Sequence, residues 1–483
     1  MIGHERFRFA TPEALHDKAR TLGLELPFAK DIGPLLLPVV IAGRTVPNRL
    51  AIQPMEGADA GLDGAPGELT FRRYRRFAAG GAGLIWFEAA AVVDTGRSNA
   101  HQLLVRPSNL AALKNLVVET REAAARTSGP DPLLILQLTH AGRFAKRDGR
   151  PAPVAAQRNP YLDPLRKTDA EFPLISDAEL DRLQAGFVEA AEIATEAGFD
   201  GVDLKACHGY LVGELLAARA RSESRYGGPL ENRARFLFET TERIKKRLPA
   251  SLLAVRLGVC DGVPSPFGFG GSPDNPERPD IIKRRGRAAE VDPGAKTGVP
   301  TGSIDSVVKD DLVVANVADV GDVAGAAEVE FVVRGLRDRG LDMLNITLGI
   351  PAYKPHLGRP FDRPADGGLV PTEHPLVGIA RLIEAAAAVQ KKFPDLPIVG
   401  TGYSWLRAYF PHVAAGAMAA GKISFAGVGR LGFAYPDFAA DLRDKGALDP
   451  RKACLACSHC SELLRAGRPA GCVVRDRGVY RLV

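Results

Sequence analysis

Gly198-Phe199-Asp200-Gly201-Val202-Asp203-Leu204-Lys205-Ala206-Cys207-His208-Gly209-Tyr210-Leu211 decides how the chain is read. Gly198 closes a helix, and Gly201 to Ala206 is a short strand behind it. Where the strand stops, Lys205, His208 and Tyr210 arrive within six residues. A base, a titratable ring and a phenol at the C-terminal end of a strand suit catalysis. A polar strand end that serves packing alone is the other reading of the same residues.

Working outward, the same unit recurs. Leu50 to Met55, Leu84 to Glu88 and Leu133 to Leu138 read as strands on the N-terminal side. Leu252 to Leu257, Met343 to Thr347, Pro397 to Gly400 and Ile423 to Val428 read as strands on the other. Their apolar runs have the continuity of strands buried on both faces. Helical patterns lie between them: Leu69 to Ala79, Asn109 to Arg126, Ser176 to Ala197, Glu231 to Arg247, Glu328 to Arg339, Leu376 to Lys391, Trp405 to Ala420 and Asp437 to Asp444. Ser176 with Glu179 three residues on is a capping box. Eight strands, each followed by a helix, predict an α/β protein with a (β/α)8 barrel. An open doubly wound sheet would carry a Gly-rich turn after its first strand, and Gln53-Pro54-Met55-Glu56-Gly57 is not one. The barrel is expected over 1–445, with an N-terminal extension and an irregular insertion, 262–320, after strand five. Residues 446–483 form a Cys-rich segment.

Chemistry in such a barrel sits at the C-terminal strand ends. Glycines close strands seven and eight, at Gly400-Thr401-Gly402 and Gly427-Val428-Gly429, with Arg430 next. Bare backbone N–H groups and a nearby guanidinium suit a phosphate, although tight turns alone would also use these glycines. With Gln137 and Arg256 at other strand ends, the mouth suits a phosphorylated ring cofactor.

Composition narrows the class. A hydrophobic share of 46% is ordinary for a globular protein, and a net charge of +6 on 483 residues is a weak basic bias. No Lys/Arg run with interleaved aromatics points to nucleic acid. Pro34 to Ile41 is apolar but too short for a membrane span and broken by proline, and Met1 to Arg8 has no apolar run behind it. A cytoplasmic protein is expected. Cys454, Cys457, Cys460 and Cys472 crowd the C-terminus in a metal-site spacing. Four thiolates suit either zinc, with His459 inside the motif, or an iron–sulfur cubane.

Several motifs together resemble the old yellow enzyme family of FMN-dependent oxidoreductases. They are Pro47-Asn48-Arg49-Leu50 through Pro54-Met55, Leu136 to Arg143, Cys207 to Leu211, Tyr226-Gly227-Gly228 with Glu231-Asn232-Arg233, Val255-Arg256, and Gly427 to Arg430. They run in order over residues 31–445. The cysteines resemble the branch containing 2,4-dienoyl-CoA reductase and trimethylamine dehydrogenase. The resemblance implies FMN over the barrel mouth, with Pro54, Met55, Glu56 and Ala89 against the flavin and Gln137 on its pyrimidine side. It puts Arg256 near N1, and Gly402, Gly429 and Arg430 on the phosphate. Tyr210 matches the tyrosine that protonates substrate. Lys205 and His208 occupy the pair that grips a carbonyl oxygen. It also implies a [4Fe–4S] cluster on Cys454, Cys457, Cys460 and Cys472.

The activity this implies is hydride transfer to an activated alkene or the reverse dehydrogenation of a small organic substrate. An electron-relay flavoprotein serving a partner protein is the alternative, as is a flavin-only reductase with a structural zinc. No dinucleotide domain follows the cluster in this sequence. Electrons are therefore expected from a ferredoxin, another flavoprotein, or NAD(P)H docking directly, and a homo-oligomer is expected. Lys205 and Glu56 depart from the family pattern. A charged Lys205 predicts a preference for anionic substrates, and the long insertion predicts a substrate lid or an oligomer contact.

Overall fold

A computed structural model describes residues 4–127, 131–166, 172–270, 282–284, 312–314 and 325–482. Eight parallel strands close on themselves. In chain order they are β1 (Leu50–Ile52), β2 (Leu84–Ala91), β3 (Leu133–Thr139), β4 (Gly201–Ala206), β5 (Leu252–Gly258), β6 (Met343–Thr347), β7 (Ile398–Gly400) and β8 (Phe425–Val428). Closure comes from β8 lying against β1, with Ala426 opposite Leu50 and Val428 opposite Ile52. Helices α1 (Glu68–Ala79), α2 (Leu110–Arg126), α3 (Asp177–Glu196), α4 (Leu230–Arg247), α5 (Ala326–Arg337), α6 (Pro375–Lys392), α7 (Phe410–Ala419) and α8 (Phe438–Lys445) follow the strands. The predicted (β/α)8 barrel is the observed fold, and the Ser176–Glu179 capping box starts α3.

Two cores result from the period-2 strand pattern. One set of side chains points into the barrel: Ala51, Leu84, Trp86, Ile135, Ala254, Met343, Val399 and Phe425. Ile41 and Val46, from an antiparallel hairpin of Val39–Ile41 with Arg44–Val46, join that set. The alternate residues, such as Ile52, Phe87, Leu134, Val202 and Leu344, belong to the larger core with the helices. Along β3, β4 and β5 the sequence turns polar toward the C-terminal end, at Gln137, Asp203, Lys205 and Arg256. These side chains are nonetheless buried, so the mouth is built of polar groups that must find partners.

Two local readings are corrected. The single helix predicted over Trp405 to Ala420 is a 3-10 turn, Tyr403–Tyr409, followed by α7, with Arg407 at φ 54. Pro411 has no N–H to continue the ladder across the junction. A short buried helix, Leu211–Leu216, directly follows Tyr210 where no helix was expected. The predicted insertion, 262–320, lies largely outside the described residues. Its described parts are 262–270 and an antiparallel pairing of Ile282–Arg284 with Leu312–Val314. Among the described residues, no helix is long and apolar enough to cross a membrane.

The Cys-rich segment packs on the loops at the mouth. Ala470 N donates to Gly57 O at 2.7 Å. Asp476 accepts from Arg72 Nη1 and Arg76 Nη1 on α1 at 2.7 and 2.5 Å. The Ser458 hydroxyl donates to Arg363 O at 2.6 Å.

Candidate active site

One cavity of about 370 Å³ opens at the C-terminal strand ends. Pro54, Met55 and Glu56 line it from the loop after β1, and Gln137 from β3. Lys205, His208 and Tyr210 enter from the end of β4, Arg256 from β5, Gly402 from the loop after β7, and Gly429 and Arg430 from the end of β8. Ala89 does not line it: this residue is buried in β2, and its carbonyl accepts from Gln102 Nε2 at 2.7 Å.

The β4 end is shaped by its backbone. His208 and Gly209 both take positive φ, 63° and 70°, turning the chain so that ring and phenol face the cavity. A non-glycine residue held in that region marks a site where surroundings dictate conformation. His208 Nε2 lies 3.3 Å from Thr347 Oγ1 on β6. Burial, reinforced by the Arg256 and Lys205 charges, pushes its protonation far below the usual imidazole range. His208 is therefore a neutral ring.

Glu56 is the hub of the site. Tyr210 donates to Glu56 Oε1 at 2.7 Å and Lys205 Nζ to the same oxygen at 3.2 Å. The Ser98 hydroxyl donates to Oε2 at 2.8 Å. The Lys205 ammonium also sits 3.5 Å from the Tyr210 ring centroid, within cation–π range. Burial and the Glu56 charge hold the Tyr210 phenol well above the usual tyrosine range. Two expectations change. Lys205 is ion-paired with Glu56, so it is no free cation for an anionic substrate. Glu56 engages the Tyr210 and Lys205 side chains as well as lining the mouth.

The cavity also carries guanidinium and amide donors. Arg430 Nη2 donates to Pro360 O at 2.6 Å, while its buried Nη1 has no partner. Gln53 Nε2 and Arg256 Nε are likewise buried without partners. Unpaired buried donors are costly, and a ligand carrying acceptors and negative charge would satisfy them. Gln137 is partly committed, since its amide donates to Asp203 Oδ2 at 2.5 Å. The Trp86 indole donates to the same oxygen at 2.8 Å. Burial raises that carboxyl to about 6.

The four C-terminal cysteines line one small closed cavity of about 20 Å³ together with Arg430 and Phe433. All are free. Burial pushes the Cys454 thiol up to about 12 and raises Cys460 and Cys472. Among the described residues, no three His, Cys, Asp or Glu side chains converge closely enough to hold a metal ion. The soft donor set fits a cubane or zinc, but the thiols share a pocket without meeting at a point. Arg430, Phe433 and Cys460 border both cavities.

Sequence reasoning missed Ser98, Asn99, Gln53 and Arg359, which also line the main cavity. Ser98 and Asn99 sit in the loop after β2, where only the tertiary contact to Glu56 distinguishes them. Gln53 lies inside the first predicted strand, Leu50 to Met55, and just past the observed end of β1 at Ile52; a polar residue within that apolar run was the available signal.

A closed (β/α)8 barrel with a cationic, donor-rich mouth is the arrangement that results. Residues 34–267 match the NADH:flavin oxidoreductase / NADH oxidase family. A curated relative, NADPH dehydrogenase of Listeria monocytogenes serotype 4b, is 33% identical over 220 residues, 45% of this chain and 61% of its own length. The chain thus spans about six-tenths of the curated relatives it matches. Among solved structures, 2-naphthoyl-CoA reductase in complex with 2-naphthoyl-CoA aligns with a TM-score of 0.65 at 19% identity. That alignment covers 92% of this chain and 57% of the other. Histamine dehydrogenase from Rhizobium sp. 4-9 aligns at 0.61 and 18%, covering 92% and 52%. The old yellow enzyme homologue from Zymomonas mobilis aligns at 0.58 and 19%, covering 93% and 99%. At these identities the likeness concerns the fold.

Proposed function

We propose that the protein is an FMN-dependent oxidoreductase acting on a small organic substrate, with [4Fe–4S] on its C-terminal cysteines. The observation that carries the flavin is the set of unpartnered buried donors, Gln53 Nε2, Arg256 Nε and Arg430 Nη1, around one cavity. When bound, FMN supplies two-electron chemistry to whatever lies above it. Arg256 would face the ring edge where negative charge develops, and Arg430 with Gly402 and Gly429 would hold the phosphate. Gln137 and Gln53 would hydrogen-bond the ring. Tyr210 holds the proton to be given to substrate or takes one from it, and neutral His208 orients a substrate oxygen. Ala470 and Leu464, from the Cys-rich segment, wall the cavity and keep water from the reacting atoms.

Cys454, Cys457, Cys460 and Cys472 would hold the cluster, with electrons arriving from NAD(P)H or a protein partner. A family whose relatives include NADPH dehydrogenases favours NAD(P)H at the flavin itself. Protein purified under nitrogen should show a flavin absorption band with a broad iron–sulfur shoulder. Chemical analysis should find about four iron and four sulfide per chain. A colourless protein overturns the flavin reading. One zinc and no iron overturns the cluster and leaves a flavin-only enzyme with a metal clip.

A further inference from the structure

Gln137 and Asp203 stand opposite each other on β3 and β4. Ile135, two residues before Gln137, faces the barrel interior, so Gln137 and its partner face it too, just beneath the mouth. Asp203 Oδ2 accepts from the Gln137 amide at 2.5 Å and from the Trp86 indole at 2.8 Å. Burial pushes this carboxyl up to about 6, opposed by those two hydrogen bonds. A buried acid costs more than an apolar side chain of its size, so packing alone does not account for Asp203. Its effect falls on the sense of the Gln137 amide. A carboxylate oxygen only accepts. Were Asp203 neutral, the acid proton would sit on Oδ1, because Oδ2 already takes two N–H donors. In either state Gln137 must offer Nε2 to Asp203, and a turned amide would set its oxygen against Oδ2. Gln137 Oε1 is left for the cavity, and among the described residues no group donates to it. The Gln53 amide is held differently. It accepts from Asn345 Nδ2 at 2.7 Å, and two amides can turn together and keep that bond.

We propose that Asp203 is a positioning residue that fixes Gln137 with its amide oxygen toward the cavity, so that the mouth takes a ring edge presenting an N–H. The identity of that ring rests on the flavin-dependent reading above, since the pyrimidine edge of a flavin carries one imide N–H, at N3. A ring edge with acceptors alone would leave the Gln137 oxygen unpaired and bind more weakly. Trp86 holds the same carboxyl oxygen from β2, so three neighbouring strands set the direction of one hydrogen bond.

The test uses holoprotein carrying FMN labelled with nitrogen-15 at N1, N3 and N5, as wild type and Asp203→Leu, read by nuclear magnetic resonance. Leucine keeps a branched side chain of similar length and cannot accept. Exchange of the N3 proton with water should be about tenfold faster in Asp203→Leu, and FMN affinity about tenfold weaker, as for one lost hydrogen bond. The N1 and N5 signals should stay in place. Unchanged N3 exchange, or movement of all three nitrogens together, overturns the proposal. A second measurement uses wild-type, cofactor-free protein with nitrogen-15 in its glutamine side chains, the Gln137 signal being identified by its loss in Gln137→Met. The Gln137 amide protons should exchange about tenfold or more slowly than those of a free glutamine amide, because they face Asp203 and not the cavity. Exchange at the free rate overturns the proposal. That measurement needs neither flavin nor the Asp203→Leu chain. Failure of the wild type to bind FMN would sink the flavin reading, and the Gln137 amide would still decide the role of Asp203.

Discussion

At the scale of single residues, Lys205 shows how a side chain can be recognised and its role misread. Its place at the β4 end is legible in the sequence, because the strand, its stop and the His208–Tyr210 spacing are local. Its partner is not. Glu56 comes from the loop after β1, and no local pattern links the two. The pair is largely buried, with side-chain exposures of 6% and 11%, so removing one partner strands the other charge. Lys205→Met should lower stability by roughly 3–5 kcal/mol, read from chemical unfolding midpoints, and Glu56→Gln in the same chain should recover part of that loss. If Lys205→Met alone is neutral, the ion pair contributes nothing to the fold. The ranking of anionic against neutral substrates should not change with Lys205→Met. Tyr210→Phe should retain flavin and still be reduced by its electron donor, yet be reoxidised by an enone about 10²–10⁴-fold more slowly. Unaltered reoxidation would remove the phenol from the chemistry.

At the scale of elements, β8 carries the clearest demand. A Cβ on Gly427 would lie 2.1 Å from Gln53 Nε2, and one on Gly429 would lie 2.8 Å from Met55 Sδ. The sequence suggested these glycines as a bare backbone for phosphate. The structure adds a steric reason that the sequence hides, since β8 meets β1 only on barrel closure. Gly427→Ala should displace Gln53 and weaken flavin retention by roughly tenfold, about 1.4 kcal/mol, with the far-ultraviolet circular dichroism unchanged. Flavin affinity equal to wild type, measured by fluorescence quenching, would mean that Gln53 does not hold the ring. Regular strand and helix pairs were readable because burial on both faces leaves continuous apolar runs. Leu211–Leu216 escaped because six residues are too few to show a helical period.

For the whole molecule, the eightfold alternation was legible, whereas the covering of its mouth was not. Charges are distributed unevenly across that mouth. Asp261, beside the β5 end, is buried at 5% exposure, accepts from Phe269 N at 3.1 Å, and has its carboxyl raised to about 7 by burial. A raised acid binds its proton in the folded protein at pH values where the unfolded chain has released it. Its contribution is therefore full below about pH 4 and is lost as pH rises toward 7. Asp261→Asn cannot ionise, so its melting temperature relative to wild type should climb between pH 5 and pH 8. The relative gain should be on the order of 2–4 kcal/mol. A constant difference across that range would show that Asp261 is ionised in the fold throughout.

The hydrogen bond from Ala470 to the Gly57 carbonyl has a consequence for biosynthesis. Gly57 immediately follows Glu56 near the start of the first barrel unit, whereas Ala470 leaves the ribosome more than four hundred residues later. During translation, therefore, the loop bearing Glu56 waits without its latch while all eight strands emerge. The last strand, β8, is therefore complete in the chain before Ala470 is made, and the contact that ties the Glu56 loop to the Cys-rich segment is the later of the two to become available.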